Sequence, residues 1–152
     1  MSVKLILNEQ FDACFDQSAW FASAKSALEN LSAEDAVWIP ADEIHSVCEI
    51  VTHLNFYNQK CLRRFKGIKI NKESMEIAET YSNEDWKNVL YEFNSIMSEW
   101  KVLLENADEA KLAEGDSGSM IAHFNIHNAY HIGQIVIVRK LQGNWNSSQG
   151  VN

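Results

Sequence analysis

The sequence has very few residues that interrupt helices, because its 152 residues include only one proline and six glycines. A chain that folded into many short strands would need more of both residues for its turns. The scarcity therefore favours long helices, and the length suits a single domain over residues 1–152. A domain of this size can bury a hydrophobic core without disulfides.

Cysteine and basic residues are also scarce. The three cysteines, Cys14, Cys48 and Cys61, form no Cys-x-x-Cys pair and fall among apolar residues of predicted helices. This pattern indicates reduced, buried thiols in a cytoplasmic protein. The formal net charge is −8 and the 13 basic residues are spread thinly. The sequence therefore offers no basic face of the kind that binds nucleic acid.

Long hydrophobic runs are absent. No segment reaches the roughly 18 consecutive apolar residues that are needed to span a bilayer. The first ten residues, Met-Ser-Val-Lys-Leu-Ile-Leu-Asn-Glu-Gln, lack the long apolar stretch of a secretory signal. We therefore expect a soluble cytoplasmic protein that binds neither membranes nor nucleic acid.

What the sequence does contain is four segments with the apolar periodicity of amphipathic helices. They predict helices near residues 5–29, 42–66, 83–106 and 117–141, joined by a long connection at 67–81 with a short turn of helix near Met75–Ala78. We expect Ala41 or Asp42 to cap the second helix, and Ser82-Asn-Glu-Asp85 to form a capping box for the third. The predicted fold is an all-α four-helix bundle.

Three histidines, His123, His127 and His131, are spaced four residues apart in the last predicted helix. A step of four residues leaves only about 40° of offset, so His127 and His131 share one face and can direct two nitrogens to one point. The apolar residues around them place this face on the inward side of the helix. A buried imidazole without a partner costs roughly 1–3 kcal/mol, and one metal ion would satisfy both rings.

His53, in the middle of the second predicted helix, is the best candidate for a third ligand. Three neutral imidazoles leave coordination positions open, as in catalytic sites, and zinc, nickel, manganese and iron all accept them. Affinity for the ion should fall below about pH 6.5, where imidazoles become charged.

His123 is rotated by about 80° from His131 and is expected outside the ligand set. His45 is expected at the surface. The competing interpretation is that these are core histidines satisfied by tyrosine, asparagine or water.

Two motifs resemble one known family. The segment His127-Asn-Ala-Tyr-His131-Ile-Gly-Gln134 resembles the last helix of the DinB/YfiT-like family of metalloenzymes, and Glu49-Ile-Val-Thr-His53-Leu-Asn-Phe-Tyr resembles its second helix. The resemblance covers about residues 5–145. It implies a bundle of unusual handedness, often a homodimer, with a divalent metal on His53, His127 and His131. Because His123 is not part of the family pattern, a variant metal site that also uses His123 remains an alternative.

Some members of that family are thiol S-transferases that activate a low-molecular-weight thiol on the metal, others are isomerases that use such a thiol, and many have no known activity. The resemblance thus implies a metal-dependent transferase or hydrolase with a small-molecule substrate. The polar groups that could orient a ligand are Tyr57, His123, Asn128, Tyr130 and Gln134.

The alternative is a metal-stabilised stress-response bundle that catalyses nothing and acts through its dimer surface. A homodimer is also favoured by the five tryptophans. Trp20, for example, falls off the inward stripe of the first predicted helix, and exposed apolar patches usually mark interfaces.

Overall fold

A computed structural model of the chain describes residues 2–69, 77–113 and 115–149. These residues form helices and connections and contain no β-strand, which confirms the all-α prediction. In chain order the helices are α1 (Val3–Phe15), α2 (Ala24–Leu28), α3 (Ala33–Ala36), α4 (Val47–Phe65), α5 (Trp86–Glu105), α6 (Glu109–Ala113) and α7 (Ser117–Gln142), with 3₁₀ turns at Ile77–Thr80 and Ser147–Gln149.

The four long helices, α1, α4, α5 and α7, pack as a ring around one hydrophobic core. Helix α1 contacts α5 and α7, and α4 contacts the same two helices from the other side. Trp100, Phe11 and Phe93 are the largest fully buried side chains. The arrangement agrees with a four-helix bundle and makes α4 and α7, which carry the histidines, direct neighbours.

The prediction of one continuous helix over residues 5–29 is wrong. Helix α1 ends at Phe15, and α2 begins only at Ala24. Between them, the Ser18 hydroxyl accepts a hydrogen bond from the Ser23 amide at 3.1 Å, and the Ser23 hydroxyl accepts one from the Ser26 amide at 3.4 Å. Serine side chains that bond the backbone in this way offer it an alternative to the helix.

The start of α4 also differs from the prediction. Ser46, not Ala41 or Asp42, caps the helix and forms a capping box with Glu49. The Ser46 hydroxyl accepts from the Glu49 amide at 3.1 Å, and the Glu49 carboxylate accepts from the Ser46 amide at 2.8 Å. This Ser-x-x-Glu pattern is a known helix-start signal, so the correct boundary was present in the sequence.

The other two long helices lie close to their predicted positions. Asp85 caps α5 by accepting from the Asn88 amide at 3.1 Å, so the expected box that begins at Ser82 does not form the cap. Helix α7 ends at Gln142 and is capped by Gly143, whose φ of 78° is a conformation that glycine adopts readily. Of the turn predicted near Met75–Ala78, the part before Ile77 lies outside the described residues.

Cys14 and Cys48 are buried, Cys61 is half-buried, and all three are free thiols. Among the described residues, no helix combines the length and the apolar character needed to cross a bilayer. The cytoplasmic location stays a prediction.

Candidate metal centre

The facing surfaces of α4 and α7 bring together the three histidines that the sequence singled out. His53 comes from the middle of α4, and His127 and His131 come from successive turns of α7. One ring nitrogen from each residue lies within 4.8 Å of the other two. The Nε2 atom of His127 is 3.1 Å from Nε2 of His131 and 3.3 Å from Nε2 of His53. The three rings therefore direct nitrogen atoms at one small volume.

A pair of buried amides fixes the alignment of the two helices beside this cluster. The side chains of Asn58 on α4 and Asn128 on α7 exchange two hydrogen bonds, of 2.9 and 3.0 Å. Asn128 also donates to the carbonyl of Phe124 at 2.9 Å. Asn128 is therefore a fully buried structural residue, and not the substrate-orienting group suggested by the sequence.

The outer nitrogen of His131 has a defined partner. Its Nδ1 lies 2.6 Å from Oε1 of Gln134, one turn further along α7. An amide oxygen can only accept a hydrogen bond, so Nδ1 carries the proton and donates it. In the neutral ring, Nε2 then has a free lone pair that faces the cluster. Gln134 is itself held by Tyr130, whose hydroxyl accepts from the Gln134 amide at 3.3 Å.

His53 is held by the connection between α4 and α5. The Oγ1 atom of Thr80 lies 2.6 Å from Nδ1 of His53. The neighbouring ring of Tyr81 stacks on His53, with centroids 4.1 Å apart, and on His45, with centroids 3.8 Å apart. Thr80 and Tyr81 were missed from the sequence because nothing in a loop pattern indicates which helix the loop will cover.

His45 and His123 lie outside the cluster. His45 is exposed, as predicted, and its Nδ1 lies 3.4 Å from a carboxylate oxygen of Glu49. Its ring is separated from His53 by the ring of Tyr81, which stacks between them. His123 is exposed and lines a cavity one turn before His127. Neither residue therefore belongs to the set of converging nitrogens.

Burial keeps the cluster uncharged near neutral pH. Burial, reinforced by the neighbouring histidines, lowers the pKa of His53 and of His127 to about 4. Burial also lowers the pKa of His131, against the opposing effect of the Gln134 hydrogen bond. Neutral imidazole is the form that binds metals. The expected loss of affinity at acid pH stays a prediction, and these pKa values place it below pH 6.5.

The geometry fits a single divalent ion. In a tetrahedral zinc site with Zn–N bonds of about 2.0–2.1 Å, ligand nitrogens are about 3.3 Å apart, close to the two Nε2 separations in this cluster. The donor set of three neutral imidazoles suits zinc, nickel, iron or manganese and does not select among them.

A cavity of about 420 Å³ reaches the cluster at His127, with Tyr57, Phe124, His123 and Arg64 among its walls. A second groove of about 620 Å³ runs along the other side of α7, where it is bordered by Tyr130 and Gln134. Cavities of this size are typical of small-molecule sites, which span roughly 300–1,000 Å³. Of the three clustered histidines, only His127 lines either one.

Comparison with known protein families identifies a match. The family model of the DinB superfamily matches residues 19–135, a span that contains all three histidines of the cluster. No curated protein and no solved structure matches the chain.

Proposed function

The chain belongs to the DinB superfamily, and we propose that it is a metal-dependent enzyme that activates a thiol or a water molecule. His53, His127 and His131 would hold a divalent ion. The observation that carries this proposal is the convergence of three Nε2 atoms within a shell of residues that orients the rings. When bound, such an ion would lower the pKa of a thiol or of water and so supply a nucleophile near neutral pH.

The protein's own residues have defined tasks in this proposal. Gln134 and Thr80 hold the outer nitrogens of His131 and His53, which fixes the ring orientations. Partners of this kind typically change metal affinity by 10–100-fold. Tyr81 covers one face of His53 and limits the access of water from that side. Burial of the phenol raises the pKa of Tyr81, so its ring remains neutral.

The number of ligands supports catalysis over a purely structural role. Structural zinc sites are usually closed by four protein ligands, whereas catalytic sites keep three and leave a position for substrate. Among the described residues, the cluster contains three metal-binding side chains and no fourth. The cavity at His127 gives a small molecule a route to this position.

The test is to load the full-length protein with cobalt(II) and to add 2-mercaptoethanol. A thiol that reaches the ion should produce a sulfur-to-cobalt charge-transfer band in the near ultraviolet, and the band should saturate with thiol concentration. The His131→Ala variant should show no such band. If the wild-type spectrum stays unchanged although cobalt is bound, the coordination sphere is closed and the enzyme proposal fails.

The second candidate is a metal-stabilised bundle that catalyses nothing and acts through a dimer surface. It is favoured by one specific observation, an apolar outer face on α7. Ile126, Tyr130, Ile137 and Leu141 are all exposed and recur on one side of this helix. Exposed apolar residues that cluster on one surface usually mark an interface. This face would serve a homodimer equally well in either proposal.

A further inference from the structure

From the cavity beside His127 we infer the class of substrate: an elongated, largely apolar molecule with a carboxylate at its far end, recognised by Arg64. This inference rests on the proposed function, because it takes the reacting end of the substrate to lie at the histidine cluster. The cavity has a volume of about 420 Å³, with His127 in its wall at one end and Arg64 and Asp116 at the other.

The walls change character along the cavity. Tyr57 and Phe124 give the part near the cluster apolar surfaces, and Met120 continues them towards the start of α7. Arg64, Asp116 and Ser119 add polar groups at that far end, and His123 adds one nearer to His127. A ligand that fills this space therefore needs a hydrophobic middle and a polar end.

Arg64 supplies positive charge at the far end of the cavity. The chain as a whole has a net charge of −8, so an anionic ligand requires a local source of positive charge. Burial raises the pKa of the Cys61 thiol in the cavity wall, and the positive charges of Arg64 and Lys60 oppose this rise. Lys60 also lies over the ring of Tyr57, with Nζ 5.9 Å from its centroid. Lys60 is not among the residues that line the cavity, so Arg64 is the lining residue that supplies positive charge.

Arg64 is only weakly engaged by its neighbour. Its guanidinium is 3.9 Å from the carboxylate of Asp116, and both side chains are exposed to solvent. Exposed ion pairs of this kind are worth about 0–1 kcal/mol. A substrate carboxylate could replace Asp116 and accept two parallel hydrogen bonds from the guanidinium, a geometry that lysine cannot provide.

The length of the ligand follows from the helix. Asp116, the partner of Arg64, precedes His127 by eleven residues, which is about 16 Å along a helix axis. Because the arginine side chain can swing inward, the carboxylate of a bound molecule should lie about 10–15 Å from its reacting atom. Molecules with three or four carbons would be too short to use both ends of the cavity.

The experiment uses the cobalt(II)-loaded full-length protein and straight-chain ω-mercapto acids with 3, 8 and 11 carbons. Each acid is compared with the ω-mercapto alcohol of the same length, and binding is followed by the charge-transfer band. We expect the 8- and 11-carbon acids to bind about tenfold more tightly than their alcohols, and the 3-carbon acid to show no such preference.

The Arg64→Gln variant should lose this preference for the long acids and should bind the alcohols as the wild type does. Arg63→Gln is the matched control, because it removes the same charge from an exposed neighbour that does not line the cavity. Equal binding of acids and alcohols to the wild type, or equal effects of the two variants, would overturn this inference and leave the proposed function standing. If no thiol changes the spectrum of cobalt-loaded protein, the proposed function fails and the inference fails with it.

Discussion

The side-chain oxygen of Gln134 lies 2.6 Å from Nδ1 of His131. This contact determines the proton position on the ring, because the amide oxygen accepts and Nδ1 must donate. The other ring nitrogen is then free to bind a cation. Gln134, which lies outside the cluster, thus leaves the lone pair of His131 Nε2 free to face the cluster. This role can be tested separately from the fold.

We predict that Gln134→Met lowers the affinity for zinc by about 10–100-fold, because the ring of His131 loses the acceptor that fixes its orientation. Affinity would be measured by competition with a chromophoric chelator. Gln10→Met makes the same change at an exposed position on α1 and is the control. Equal affinities for the two variants would show that the Gln134 contact has no influence on the ion.

Replacement of the histidines should separate ligands from bystanders. His53→Ala, His127→Ala and His131→Ala should each lose bound metal, because every one of them removes a converging nitrogen. His123→Ala and His45→Ala should retain it, since both residues lie outside the cluster. The measurement is metal content by mass spectrometry on variants shown to be folded by circular dichroism. Loss of the ion from His123→Ala together with its retention by His53→Ala would contradict the assignment.

Acid should destabilise the metal-free protein in a defined range. Unfolded histidine has a pKa near 6.5, whereas burial lowers the pKa of His53 and His127 to about 4 in the folded protein. Between these values the unfolded chain binds more protons, so the free energy of unfolding should fall as the pH drops from 6.5 to 4. The greatest loss in the free energy of unfolding is on the order of 3 kcal/mol for each ring.

Urea denaturation of the chelator-treated protein at several pH values would measure this effect. His127→Ala should flatten the dependence, because it removes one of the three rings whose pKa is lowered by burial, whereas His123→Ala should leave it as in the wild type. A wild-type stability that does not change between pH 6.5 and 4 would show that the rings are not held neutral by burial.

The sequence predicted the parts of this fold that rest on long apolar periodicity. Helix α7 was located to within one residue at its C-terminal end, and α5 to within three at its start. The first helix was predicted too long because alanine-rich residues 19–27 have high helix propensity, while the hydrogen bonds of Ser18 and Ser23 that end the helix depend on the folded turn. Propensity alone does not contain that information.

For the candidate site, the spacing of His127 and His131 was informative because helix geometry converts a step of four residues into a shared face. His53 could be included because it lies near the inward stripe of a second helix. Thr80 and Tyr81 could not be found, because their contacts depend on how a connection folds back over α4. The pairing of Asn58 with Asn128 likewise requires the relative alignment of two helices, which no local pattern specifies.

The asparagine pair should contribute measurably to stability. Asn128→Ala leaves the buried amide of Asn58 without this partner, so we expect a loss of roughly 1–3 kcal/mol in the free energy of unfolding. Asn88→Ala, at an exposed position on α5, is the control. In a double-mutant cycle with Asn58→Ala, the two buried sites should show a coupling energy of about 0.5–3 kcal/mol. Additive effects would mean that the two amides do not act as a pair.

The outer face of α7 predicts a homodimer at micromolar concentration. Ile126, Tyr130, Ile137 and Leu141 are exposed along one side of the helix, and Trp20, which is 94% exposed, borders the same groove as Ile126. Apolar surface that is contiguous in this way is usually covered by a partner, and a two-fold axis on the helix would let each copy cover the other.

Ile137→Lys should therefore convert the dimer to a monomer in light scattering, because it buries an unpaired charge at the interface. Val102→Lys places the same charge at an exposed apolar position on α5, and this variant should remain dimeric. A monomeric mass for the wild type would contradict the prediction, and dissociation of both variants would show that the interface is not confined to α7.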